Sequence, residues 1–278
     1  MNIGHQWRSR RGRIFWGVFF AGWIGANVFA LWALDEWELA DAKKQGVSRS
    51  VLRYYRVGAR LVPSDQQHAV GQLLYRVHEP KHVTTPQPLL LFLHGAGSRG
   101  DDNLRQLRSL PEQLSTPEWQ ARCPGFIVVP QCPEFSHWTQ ELPSLMRLVE
   151  MWRTDSRVDK RRIYVTGYSM GGYGTWGLIA ARPEWFAAAV PICGGGDPDS
   201  AAKIGDVPIW AVHGDADDVV PVTQSRIMIE ALHAVGASPK YSELKGVAHD
   251  SWTEEYQRQE GVLTWMFEQN NDRCAECR

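Results

Sequence analysis

From about Val70 onward the chain alternates short apolar runs with segments of helical period. Residues 72–77, 88–93, 126–129, 163–166, 186–192, 207–212 and 241–244 read as strands. The run 88–93 is apolar without a break, as a strand covered on both faces requires. Between these runs, residues 103–114, 141–153, 172–181, 224–235 and 260–268 place apolar side chains at helical spacing. Strands alternating with helices predict an α/β chain whose sheet is mostly parallel, with helices on both faces. No internal repeat or low-complexity tract interrupts this alternation.

The first part of the chain has a different pattern. Residues 14–34 carry no charge, and Asn27 is their only strongly polar member. At about 1.5 Å per residue the run is long enough for a hydrocarbon core of about 30 Å. Trp16, Trp23, Trp32 and Trp37 include interface anchors near both ends. Arg8, Arg10, Arg11 and Arg13 precede the run, against Lys43, Lys44 and Arg49 beyond it, which orients the N-terminus to the cytoplasm. The rival reading is a cleaved signal peptide, for which Leu31-Trp32-Ala33 makes a poor cleavage site. Either way, the rest of the chain is expected outside the cytoplasm, periplasmic or extracellular. The expected organisation is a cytoplasmic tail and transmembrane helix over 1–34, a juxtamembrane helix or linker over 35–66, and a catalytic domain over 67–278.

The length of 278 residues allows one large α/β domain. A formal net charge of −1 argues against a nucleic-acid partner. Five cysteines leave at least one thiol unpaired within the chain. Cys123 and Cys132 bracket a strand, Cys193 lies in an apolar strand as a small buried hydrophobe, and Cys274 and Cys277 form a local disulfide or idle thiols. No second pair of ligands stands at zinc spacing, so neither metal nor organic cofactor is expected.

The chemistry centres on Gly167-Tyr168-Ser169-Met170-Gly171. A β-branched run precedes this G-x-S-x-G and a helical pattern follows it. Strand, tight turn and helix together resemble the nucleophile elbow of an α/β-hydrolase. A serine nucleophile needs a base, and the base needs an orienting carboxylate. In that fold they follow in the order Ser, Asp or Glu, His. Only His213, His233 and His249 come after Ser169. His213 ends a strand ahead of any suitable acid, and His233 sits inside a helical run. His249, in a turn after a late strand, is the base. The acid belongs to the 213–221 loop, which holds Asp215, Asp217 and Asp218. The oxyanion needs two backbone donors: the N–H of Met170, and one from the loop His94-Gly95-Ala96-Gly97, where Ala96 comes first and Gly97 next. His94 is then a brace of that loop.

Taken jointly, residues 91–97, 99–103, 129–133 with Trp138, 162–174, His213-Gly214 with Asp217 and Val220-Pro221, and 249–252 resemble one branch of the α/β-hydrolase superfamily. It is the branch of putative esterases and predicted peptidases close to phospholipase/carboxylesterase and feruloyl-esterase-like proteins. The resemblance covers about residues 70–267. It implies the α/β-hydrolase fold and selects Asp217 as the acid. It also makes His137 and Trp138 candidates for the substrate wall, against a plain packing role for Trp138. Asp101 and Asp102 are expected to cap a helix near Asn103. The implied activity is cleavage of carboxylic esters, small or polymer-linked, by a serine esterase. A peptidase using the same triad and a tethered, non-catalytic binding module are the alternatives.

Overall fold

The structure, a computed structural model, describes residues 38–57, 73–80 and 83–274. The expected membrane segment 14–34 lies outside them. Among the described residues no helix is long and apolar enough to cross a membrane. The chain divides into two units, Met1–Arg49 and Ser50–Arg278. In the described part of the first, residues 38–44 are helical. The second holds the sheet.

The elements in chain order are α1 (Arg49–Tyr54), β1 (Arg56–Val57), β2 (Tyr75–His78), β3 (Gln87–Leu93), α2 (Leu110–Leu114), α3 (Pro117–Arg122), β4 (Phe126–Pro130), α4 (Leu142–Arg153), β5 (Val158–Tyr168), α5 (Met170–Ala181), β6 (Ala188–Ile192), α6 (Ala201–Ile204), β7 (Trp210–Gly214), α7 (Thr223–Ala234), β8 (Lys240–Leu244), α8 (Thr253–Gln257) and α9 (Val262–Phe267). The sheet order is β1-β2-β4-β3-β5-β6-β7-β8. From β4 to β8 every pairing is parallel, while β2 runs antiparallel to both its neighbours. All of α1 and β1 fall in the stretch 35–66, expected as a juxtamembrane helix or linker; the two residues of β1 extend the sheet edge there.

The uninterrupted apolar run of β3 is explained by its two covered faces. Leu89, Leu91 and Leu93 join the cluster that contains Leu145, Leu148, Trp176 and Ile179. Phe92, pointing the other way, meets the rings of Tyr168 and Tyr256. The chain leaves β3 for β4 on one side, then returns to β5 on the other. That reversal opens a crevice at the carboxyl ends of β3 and β5, where open α/β sheets bind ligands. Leu93 and Gly167 are paired at this point, so the 94–97 loop and the serine turn emerge side by side.

The helix expected over 103–114 is broken. Residues Arg105–Leu107 form a short 3-10 turn and α2 begins only at Leu110. Asn103 and Ser109 take positive φ values of 53° and 68°, which no helix accommodates. Of the two aspartates expected to cap that helix, Asp102 accepts the N–H groups of Leu104 and Arg105 at 2.8 and 3.0 Å, while Asp101 is exposed.

Candidate active site

Ser169 is the residue between β5 and α5, with φ 55° and ψ −121°. A non-glycine residue there stores about 1–3 kcal/mol of strain. The surroundings hold the turn in place. Ser169 N–H lies 3.0 Å from Ile192 O and 3.3 Å from Cys193 Sγ, so the end of β6 clamps it. The glycines of the pentapeptide are required sterically. A Cβ on Gly171 would stand 1.9 Å from Leu93 O, and one on Gly167 would stand 2.5 Å from the same atom.

His249 reaches Ser169 from the loop after β8. Its Nε2 is 3.0 Å from Ser169 Oγ, and its Nδ1 is 2.8 Å from Asp217 Oδ2. The carboxylate can only accept, so Nδ1–H donates to Asp217 and Nε2 is left to accept the serine proton. Asp217 has no exposed side-chain surface. Burial pushes its pKa up, but the hydrogen bonds from His249, Val220 N–H and Val219 N–H outweigh this and leave it below the ordinary value. The three residues are thus brought together in the arrangement expected from the sequence. Asp215 does something different. Its carboxylate accepts Gly246 N–H at 2.6 Å and ties its own loop to the one carrying His249.

One contact was missed in the sequence. His213 Nε2 is 3.2 Å from Asp217 Oδ2 and donates to Val220 O at 2.9 Å. Burial lowers the pKa of His213, so the ring that backs the carboxylate is neutral. The only sequence signal for it is its place just ahead of Gly214 and the acidic loop. Cys193 also packs here: its Sγ, an Asp217 oxygen and a His249 nitrogen all lie within 4.8 Å of one another. Such a set resembles metal ligands. However, burial pushes the Cys193 thiol up to about 12, keeping it protonated, and the Asp217–His249 hydrogen bond already uses the other two donors.

The 94–97 loop runs against the serine. A Cβ on Gly95 would lie 3.7 Å from Ser169 Cβ. Ala96 opens the turn Ala96–Ser98 and Met170 opens α5. His94 braces the loop: its Nδ1–H donates to Gly95 O at 2.7 Å and its Nε2 accepts Cys132 N–H at 3.0 Å. Burial lowers its pKa to about 4, so it is neutral.

Of the two wall candidates, Trp138 takes the packing role that stood as its alternative. Trp138 has 0 % exposure; its indole N–H donates to His94 O at 2.9 Å and its ring meets the His94 ring edge-on. It packs the loop and leaves no surface for a substrate. The His137 side chain is exposed, and its carbonyl accepts the N–H groups of Gln140 and Glu141 in the turn into α4. Among the described residues no hydrogen bond joins it to Ser169, Asp217 or His249. The aromatic group that does border the triad is Trp252, edge-on to His249 at 5.4 Å and stacked on Tyr168 at 4.2 Å.

Residues 135–272 match the Dienelactone hydrolase family, a span that includes Ser169, Asp217 and His249. A bifunctional acetylxylan esterase/xylanase of Neocallimastix patriciarum is 32% identical over 155 residues, covering 53% of this chain and 22% of that protein. Cutinase 2 of Thermobifida cellulosilytica is 35% identical over 95 residues, covering 34% of this chain and 35% of the cutinase. The chain therefore corresponds to a minor part of each. The crystal structure of a thermostable esterase superposes with a TM-score of 0.72 at 34% identity, covering 79% of this chain and 64% of that one.

Proposed function

We propose that this chain, which belongs to the α/β-hydrolase superfamily and matches its dienelactone hydrolase family over residues 135–272, is a serine esterase. Ser169 Oγ attacks the acyl carbon while His249 Nε2 takes its proton. Asp217 fixes the imidazole tautomer and stabilises the imidazolium. The N–H groups of Met170 and Ala96 hold the oxyanion. His249 then returns the proton to the leaving alcohol, and water deacylates the enzyme by the same route. The observation that carries this reading is the Oγ–Nε2–Nδ1–Oδ2 relay at 3.0 and 2.8 Å, on a serine held at positive φ. Relatives named as an acetylxylan esterase and a cutinase support small or polymer-linked esters as substrates.

Hydrolysis of 4-nitrophenyl acetate by purified protein tests the reading. Wild type is expected to turn it over and Ser169→Ala to lose at least a thousand-fold in kcat. Equal rates in the two would sink the proposal. Turnover of a peptide library without turnover of esters would reassign the leaving group to an amine.

The catalytic unit works outside the cytoplasm, held by residues 14–34. The uncharged run and the arginines before it support this, as does the disulfide at Cys274, whose partner lies outside the described residues. The other described cysteines, Cys123, Cys132 and Cys193, are buried free thiols.

A further inference from the structure

Residues 99–103 and 129–133 contribute no side chain to the relay of Ser169, His249 and Asp217. They meet each other instead, and the meeting point is the Gln131 side chain. Gln131 directly follows β4 and is 1 % exposed. Its own N–H donates to Leu74 O at 2.8 Å, so its backbone is fixed to the chain ahead of β2.

The carboxamide is fully used. Oε1 accepts Asn103 N–H at 2.6 Å. Nε2 donates to Asp102 Oδ1 at 2.9 Å and to Ser98 O at 3.2 Å. An amide has two donor hydrogens and an acceptor oxygen, and here all of them go to the single segment 98–103. Cys132 adds two more ties. Its carbonyl accepts Gly100 N–H at 3.0 Å, and its N–H donates to His94 Nε2 at 3.0 Å. Residues 131–132 thus grip the chain after β3 at His94, Ser98, Gly100, Asp102 and Asn103.

The gripped segment needs outside support. Gly100 has φ 151° and Asn103 has φ 53°, both in the region that side chains disfavour. Such a conformation persists where the surroundings over-determine it. A Cβ on Gly100 would stand 3.2 Å from Gln131 Nε2, so the glycine also makes room for the amide. Ser98 closes the turn that Ala96 opens. Inside that turn Ser98 N–H donates to Gly95 O and Arg99 N–H to Ala96 O. The N–H groups of Ala96 and Gly97, the first two of the turn, have no acceptor in it. The bond from Gln131 Nε2 to Ser98 O pins the far end of the same turn.

We propose that Gln131 is a positioning residue for the oxyanion. By pinning Ser98 O it holds the turn Ala96–Ser98, and with it the Ala96 N–H, in the orientation that the tetrahedral intermediate requires. The proposal rests on the esterase reading above and names what keeps the second oxyanion donor of that reading in place.

The test uses two variants. Gln131→Met keeps the length of the side chain and loses all three bonds. Gln131→Glu, as a carboxylate, keeps the acceptor for Asn103 N–H and loses both donors. Fluorophosphonate labelling run to completion counts the active sites, so a partly unfolded preparation still gives kcat per folded site. With 4-nitrophenyl acetate, kcat per site is expected to fall about ten- to a hundredfold in both variants. Outright removal of an oxyanion donor costs about a hundred- to a thousandfold. KM is expected to change less than about threefold, because the lost interaction belongs to the transition state. The second readout is inhibition by 1,1,1-trifluoroacetone, whose adduct with Ser169 Oγ carries the oxyanion. Its Ki is expected to rise by the factor by which kcat/KM falls. A merely structural role would lower the number of labelled sites and leave kcat per site and the ketone Ki unchanged; that result overturns the proposal. So does a loss confined to KM. If Ser169→Ala hydrolyses the ester as fast as wild type, the esterase reading fails and this proposal falls with it. If Ser169→Ala is inactive while both Gln131 variants keep the wild-type kcat per site, the esterase reading stands and this one does not.

Discussion

The Asp217 carboxylate takes hydrogen bonds from His249 Nδ1 and from two backbone N–H groups, with the neutral His213 ring beside it. Its role in the proposed mechanism is to fix which nitrogen of His249 carries the proton. Asp217→Asn is therefore expected to lower kcat on 4-nitrophenyl acetate about 10⁴-fold with little change in KM, because the amide can turn its N–H toward the ring. Steady-state kinetics on the folded variant check this; a loss below tenfold would contradict it. His94 makes a stability prediction. Burial takes its pKa from 6.5 to about 4. Between those values the unfolded chain binds a proton that the folded chain refuses. Stability is therefore unaffected by this group above pH 6.5 and declines as pH falls toward 4, by about 3 kcal/mol in all. Urea unfolding at pH 7 and at pH 4.5 measures the loss, and His94→Gln is expected to reduce it. An equal loss in that variant would remove His94 as the cause. The bracing role of His94 was legible from its place before Gly95, and Asp217 from a motif match. The contact between His213 and Asp217 was not, since the sequence says only that His213 ends a strand.

At the scale of elements, the serine turn depends on how closely α5 approaches β3. Gly171→Ala would place a methyl group 1.9 Å from Leu93 O, so helix or strand must move. We expect a loss of at least about 2 kcal/mol in chemical denaturation, with a larger drop in activity because Ser169 moves with the helix. Unchanged stability would contradict this packing. The long elements α4 and α7 were legible because three turns give a clear apolar period, whereas α5, buried on nearly every side, was legible from the serine motif ahead of it. The helices α3, α6 and α8 were not, being only 6, 4 and 5 residues long. The 103–114 region carries a helical pattern, yet positive φ at Asn103 and Ser109 interrupts it, a conformation that apolar spacing does not report. Trp138 shows the same limit from the other side. The resemblance left a substrate wall and a packing role open for Trp138, and its indole hydrogen bond to His94 O supports packing.

For the whole molecule, the alternation of strands and helices was sufficient for a mostly parallel sheet. The sheet order was not in that pattern, nor was the edge strand Arg56–Val57, whose two residues are too few to form a period. The order is what matters for function, because the reversal between β3 and β5 creates the crevice that Ser169 and the 94–97 loop share. Since Ser50–Arg278 forms its own unit, residues 50–278 expressed alone are expected to fold and to keep at least half of the full-length kcat on 4-nitrophenyl acetate. The full chain is expected to pellet with membranes and resist carbonate extraction, whereas the shortened form stays in the supernatant. A full-length protein found only in the supernatant would remove the anchor. The most direct test of the central claim is labelling with a fluorophosphonate, read by peptide mass spectrometry. One adduct is expected, on Ser169, absent from Ser169→Ala and strongly slowed in His249→Ala. An adduct on another residue, or no adduct on a protein that still hydrolyses 4-nitrophenyl acetate, would contradict it.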